Sequence, residues 1–237
     1  MNIIDTYHQN IVEKLNEIVT DGRANMEAAA GLIRDCVNGG HKVYFFGTGH
    51  SYMVGQEIFA RAGGYAGFIP ILENELCMNH AYKSTLIERT GEYANVLLGL
   101  YTFKAGDIVF VTSNSGRNAL TIELTLRLKA MGVIIIAITS LRHSRMCESR
   151  HPSKIRLFEA ADLVLDNCSD YGDASIHHND GTATGPASTL TNCFILHCVV
   201  STFTQMQLDA GLPCPVFKSS NIDCGDQANE ALFQVYG

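Results

Sequence analysis

The sequence predicts an α/β protein whose parallel sheet is covered by helices on both faces. Three observations predict it. Short apolar runs at residues 42–46, 108–112 and 133–139 alternate with helix-compatible stretches. Those runs are continuously apolar, as strands buried on both faces require. Two of them end in loops of small and hydroxyl residues, Gly47-Thr48-Gly49-His50-Ser51 and Ser113-Asn114-Ser115-Gly116. In open α/β sheets, ligands gather at such carboxyl ends of strands.

The elements follow in order. Ile4, Tyr7, Ile11, Leu15 and Ile18 recur at helical spacing, Asp21-Gly22 interrupts, and Met26, Ala29, Ala30, Ile33 and Val37 resume until Gly39-Gly40. Two helices are predicted there, and residues 1–40 form a helical extension packed on a single domain of residues 41–237. The strand at 42–46 runs into the glycine loop. Residues 52–62 continue as a helix that Gly63-Gly64 stops, and residues 67–72 form a short strand. Ser84 caps a helix that runs to about Leu100. The strand at 108–112 leads through its loop into a helix over 118–131. Residues 133–139 are the most apolar strand, and 161–165 the last. The polar stretch 168–185 reads as a long loop, a length that in compact domains often carries function. Residues 190–211 form a long apolar helix, ended by Pro213 and Pro215.

Composition bounds the function. A length of 237 residues fits one domain, and 46% hydrophobic with 17% charged residues excludes a disordered chain. Seventeen Lys and Arg against 24 Asp and Glu leave a net charge of −7. That argues against nucleic-acid partners and anionic membrane surfaces. A small anion is still compatible, because local dipoles hold one on an acidic protein. The start MNIIDTYHQN lacks the basic-then-apolar pattern of a secretory signal, and the apolar stretch 133–138 is far short of a membrane span. The eight cysteines include no CxxC, so a cytoplasmic protein with reduced thiols is expected. Cys193 and Cys198, on the apolar helix, read as core thiols.

The two loops are the chemistry-bearing feature. Small residues let backbone N–H groups approach a ligand, hydroxyls add donors, and the following helix presents its positive end. If strands one and three are neighbours, as in a 2-1-3-4-5 order, the loops converge on a pocket for a phosphate monoester. The same residue types also serve as ordinary caps and turns. Other anion-binding patterns are absent: there is no GxxxxGK[ST], Tyr52 stands where a dinucleotide fingerprint needs Gly, and no GxSxG occurs.

Taken with EIFARAGG, PILE, SRHPS, ADLVLDN, GDA, GPAST and PVFKSSN, the GTGHS and SNSGRN segments resemble the SIS (sugar isomerase) domain family. More closely, they resemble stand-alone bacterial SIS proteins described as phosphosugar or phosphoheptose isomerases. The resemblance extends from about residue 42 to about residue 222. It implies a five-stranded parallel sheet in the order 2-1-3-4-5, flanked by helices, and a site for a sugar phosphate. It also implies a homodimer or homotetramer; separately, no cofactor and no metal are expected. Phosphate binding is placed on Ser51, Ser113 and Ser115, with Thr48, Asn114 and Gly116 alongside and Ser188 and Thr189 bordering the site. There is one departure. Heptose-phosphate isomerases and muramate-phosphate etherases carry a catalytic Glu on the helix behind the first loop. Counted from Gly47, that place is Arg61 here, and Glu57 lies one turn earlier.

The base must then be read from chemistry. Aldose–ketose isomerisation moves a proton between adjacent carbons through an enediol, which needs a base in reach and a second group for the hydroxyl proton. Glu73, directly after the second strand, is the first candidate. Glu57, which Arg61 can pair at i−4, and His177 in the polar loop are the others. Glu75 and His80 share the Glu73 loop. His177-His178-Asn179-Asp180 has poor metal spacing. The expected function is a phosphosugar isomerase. The rivals are a non-catalytic phosphosugar sensor and an amino-sugar-phosphate lyase or etherase. The residues before the first strand are too few and too little basic for a DNA-binding domain.

Overall fold

The computed structural model describes residues 2–236. Its elements in chain order are α1 (Ile3–Asn38), β1 (Val43–Gly47), α2 (Tyr52–Ile58), β2 (Phe68–Pro70), α3 (Ala81–Glu88), α4 (Tyr93–Leu100), β3 (Ile108–Thr112), α5 (Ala119–Ala130), β4 (Ile134–Thr139), α6 (Leu141–Arg145), α7 (Leu157–Ala160), β5 (Leu163–Asp166), β6 (Ala174–His177), β7 (Ala183–Pro186), α8 (Ser188–Asp209) and α9 (Gly225–Tyr236). Strands β1 to β5 form one sheet in the order β2-β1-β3-β4-β5, with every pairing parallel.

Successive side chains on a strand point to opposite faces, and both faces here are buried. Val43 and Phe45 of β1, with Phe110 and Ile138, pack under α1, α2 and α8 against Ile33, Val199 and Phe203. Tyr44 and Phe46, with Val109 and Val111, pack on the other side against Leu97 and Leu120. This two-sided burial is why the strands carry no polar alternation.

The local differences from sequence expectation have physical causes. The two N-terminal helices are one, Ile3–Asn38. A glycine inside a helix costs about 1 kcal/mol. Burial of Ile18 on one side of Gly22, and of Met26, Ala29, Ala30, Ile33 and Cys36 on the other, outweighs it. The helix expected from Ser84 to Leu100 is two, because the chain breaks around Thr90-Gly91. Ser84 is not the cap: it lies inside α3 and donates to the carbonyl of Leu76 at 3.1 Å. His80 is the capping residue, its Nδ1 accepting from the Lys83 N–H. Helix α2 ends at Ile58, short of Ala62, since Phe59 is extended and Ala60 has φ 46°. The stretch expected as a long loop holds the antiparallel hairpin β6–β7. Tyr7 of α1 braces it, its hydroxyl donating to the carbonyl of Pro186 at 2.7 Å. Helix α9 was not anticipated by the pattern; Asn229 ties it to both backbone groups of Lys218. Among the described residues no helix is long and apolar enough to cross a membrane.

Candidate functional site

Strands β1 and β3 are hydrogen-bonded neighbours, with Gly47 in register with Thr112, so the two small-residue loops leave the sheet side by side. Both loops depend on glycine. A Cβ on Gly47 would run into the carbonyl of Ser51. Gly116 has φ 57°, and its Cβ would lie 3.0 Å from Leu157 Cβ and 3.1 Å from Ser144 Oγ.

Above the loops lies a cavity of about 460 Å³. Thr48, Ser51, Asn114, Ser188 and Thr189 all line it, as do His50, Glu88 and Asp173. Ser113, Ser115 and Gly116 are outside the lining. Ser113 serves the loop itself: its Oγ accepts from the Gly116 N–H at 3.3 Å, and its N–H donates to Ile138. The side-chain oxygen of Asn114 is engaged below the cavity, accepting from Asn167 Nδ2 at 2.9 Å and Ser169 Oγ at 2.7 Å. Asn167 also donates to Asn192 of α8 at 2.8 Å. Buried polar groups need such partners, and this network fixes the β3 loop to α8. Helix α8 begins at the cavity, where the Asp173 carboxylate accepts from the backbone N–H groups of Ala187 and Ser188 and from Ser188 Oγ.

Of the acid–base candidates, none lines the cavity. Glu73 accepts from the Tyr101 hydroxyl at 2.8 Å. Burial and this carboxylate push that phenol up to about 12. Glu57 forms an ion pair with Arg61 and lies 3.2 Å from His197 Nε2 of α8, on the outer surface. Burial and Arg61 lower the His197 pKa. His177 is exposed at the end of β6. The neighbouring His178 contacts Thr184, and Asp180 accepts from the Thr182 N–H. Among the described residues no three His, Cys, Asp or Glu side chains are grouped to hold a metal ion.

The carboxylate that does face the cavity is Glu88, the last residue of α3, which sequence reasoning passed over. Thr48 Oγ1 donates to its Oε2 at 3.1 Å. Burial raises its carboxyl above the usual range, against the lowering effect of Thr48, Arg89 and Arg150. The available signal was spacing: Ser84, Thr85 and Glu88 share one helix face and all line the cavity. Reading 84–100 as one helix made Glu88 look like a mid-helix surface residue.

Comparison with known proteins agrees with this architecture. The chain matches the SIS domain family over residues 6–140. A UPF0309 protein of Oceanobacillus iheyensis is 36% identical over 239 residues, covering 100% of this chain and 97% of that one. Among solved structures, phosphoheptose isomerase GmhA from Neisseria gonorrhoeae superposes with TM-score 0.53 at 15% identity, covering 85% of this chain and 97% of its own. The NanR protein of Vibrio vulnificus, complexed with ManNAc-6P, gives TM-score 0.57 at 13% identity, covering 99% of this chain and 70% of its own. At such identities the two structures show a shared fold. The family match and the full-length likeness to the Oceanobacillus protein go further: this chain belongs to the SIS domain family and, within it, groups with the UPF0309 proteins.

Proposed function

We propose that the cavity binds a sugar phosphate and that the protein isomerises it between aldose and ketose forms. The observation that carries this reading is the meeting of Thr48 and Ser51 with a half-buried carboxylate of raised pKa, Glu88, in one cavity. The Ser51 hydroxyl is the phosphate donor, with Thr189 also in the lining, and Thr48 joins them when its hydroxyl turns from Glu88 Oε2 to the phosphate. A raised pKa brings Glu88 closer to neutral pH, which suits a general base. Glu88 then takes the proton from the carbon next to the carbonyl while His50, which also lines the cavity, protonates the carbonyl oxygen, giving an enediol. The same carboxyl returns its proton to the former carbonyl carbon as His50 takes back a proton from the neighbouring hydroxyl. The carboxylates of Glu73 and Glu57 are engaged elsewhere, so Glu88 takes the role first assigned to them. The phosphoheptose isomerase with this fold supports the reaction class.

A second reading is a sensor that binds without turnover. It is favoured by the NanR protein complexed with ManNAc-6P. One experiment separates the two. Sugar phosphates are offered in deuterated water, and exchange of the carbon-bound hydrogen is followed by NMR beside calorimetric binding. Binding with exchange, with exchange falling about 10²–10⁴-fold in Glu88→Gln, supports the isomerase. Binding without exchange supports the sensor. No binding, or binding untouched by Ser51→Ala, removes the phosphate site from this cavity.

A further inference from the structure

Three arginines from three separate segments meet beside the cavity. Arg89 follows α3, Arg117 follows the second loop, and Arg150 lies between α6 and α7. The SNSGRN and SRHPS segments interlock here. Arg150 donates its backbone N–H to the Arg117 carbonyl at 2.8 Å and its Nη1 to Asn118 Oδ1 at 2.7 Å. Asn118 also interacts with Glu88, so the cluster joins the cavity wall directly.

None of the three forms an ion pair among the described residues. Nearby cations do: Arg127 with Glu123, Arg142 with Glu17 and Arg156 with Glu159. Instead the three face one another. Partial desolvation of the otherwise exposed side chain, then Arg117 and Arg89, hold the Arg150 guanidinium below its usual pKa. The Nε of Arg117 is buried with no acceptor, an arrangement that ordinarily calls for a missing partner. A second cavity of about 340 Å³ opens here, lined by Arg89, Arg127 and Arg150 and also by Glu92 and by Glu123, which is paired with Arg127; Arg117 itself lies outside the lining. Its floor is rigid, because His151 is held by Glu123 at 2.8 Å and by Ser153 at 2.7 Å. Arg89 and Arg150 are exposed, so a ligand can reach them. Clustered, unpaired guanidinium groups suit anionic oxygens, which they grip in pairs of hydrogen bonds.

We propose that Arg89 and Arg150, with Arg117 beside Arg150, form a second anion subsite, so that the natural ligand is a sugar phosphate with a second acidic group at the end remote from its phosphate. This rests on the reading that the first phosphate sits at Thr48 and Ser51. The ligand then spans from those hydroxyls past Glu88 to the arginines. Its reacting carbons lie between its two charges, beside the Glu88 carboxylate.

The test is calorimetry on the full chain with three probes: glucitol 6-phosphate, with one anionic group; 6-phosphogluconate, with an added carboxylate; and fructose 1,6-bisphosphate, with an added phosphate. At least one doubly anionic probe is expected to bind tenfold or more tightly than glucitol 6-phosphate, and the better of the two identifies the second group. In Arg150→Gln and Arg117→Gln the gap should shrink below threefold, while glucitol 6-phosphate keeps its affinity within threefold. Equal affinity for all three probes in the parent, or an undiminished gap in both variants, overturns the subsite. The probe comparison needs no variant to fold. Ser51→Ala keeps the two readings apart: if it weakens glucitol 6-phosphate while the probes do not differ, the phosphate cavity stands and the arginine subsite falls. If no probe binds, both fall.

Discussion

The Asp173 carboxylate holds Ser188 twice, at its backbone N–H (2.8 Å) and at its hydroxyl (2.5 Å). It does so from a left-handed backbone, φ 63°, which an aspartate adopts more readily than most residues. A negative charge at the start of a 22-residue helix interacts favourably with the helix dipole. The same charge repels a phosphate entering that cavity. Asp173→Asn keeps an acceptor and the backbone tolerance while removing the charge. It should tighten glucitol 6-phosphate binding about three- to tenfold and cost roughly 0.3–1 kcal/mol of stability. Calorimetry and urea melts measure both, and weaker binding in the variant would mean that Asp173 positions Ser188 for the ligand instead.

Glu88 is half-buried, and burial raises its carboxyl pKa. A carboxyl whose folded pKa lies above its unfolded one favours folding most when protonated, and that contribution is lost as pH rises through the folded value. Glu88→Gln should therefore melt at or above the parent temperature at pH 7, with the advantage vanishing below the ordinary value of 4.5. Exchange activity should follow the opposite course, rising in the parent as Glu88 ionises and staying flat and low in Glu88→Gln. Thermal melts and rates across pH 4–8 check both limbs; a variant less stable than the parent at pH 7 would contradict the burial argument.

Ile33 is fully buried where α1 meets the core formed with Val199 and Phe203 of α8. Ile33→Ala removes three carbons from a packed site and should cost about 2–5 kcal/mol in denaturant unfolding. Gly22→Ala, where an added Cβ meets nothing within 4 Å, should stabilise α1 by about 0.5–1 kcal/mol.

Of the eight cysteines, Cys224 alone is exposed. Burial pushes the Cys36 and Cys168 thiols up to about 12. A thiol reagent at pH 8 should modify one cysteine per chain rapidly, and Cys224→Ser should abolish that fast phase. Rapid modification of several thiols in the native protein would contradict the packing around the buried ones.

Large apolar side chains stand exposed on α2, α3 and the start of α8, among them Met53, Tyr82, Leu86 and Leu190. Where exposed apolar side chains adjoin, they make an association surface. A homodimer or homotetramer is expected in sedimentation at micromolar concentration, and Leu190→Glu should shift it toward monomer. A monomeric parent would exclude this.

The sheet was legible because its strands are buried on both faces, which leaves an unbroken apolar signature such as Ile134–Thr139. The convergence of Thr48, Ser51 and Asn114 followed from the order of those strands. Three things depended on distant partners and so left no local trace. The continuity of α1 through Gly22 is decided by residues on α8. The hairpin β6–β7 carries no apolar pattern, since β7 is largely exposed and Tyr7 supports it from α1. Glu88 becomes a cavity residue only because the chain turns at Thr90-Gly91, and nothing between residues 84 and 100 shows which side of that turn meets Thr48.

The pairing of α1 with α8 also has a consequence in time. Ribosomes make α1 first, yet the surface it packs on is completed only at residue 209. From residue 38 onward, 171 more residues must be added, which takes roughly 10–35 s at about 5–20 residues per second. Through that interval the stripe of Ile18, Met26 and Ile33 lacks the part of its cover that α8 supplies. A nascent protein arrested before α8 would present this stripe to chaperones or to its neighbours on the same message, so biosynthesis is the moment at which this fold is most open to aggregation.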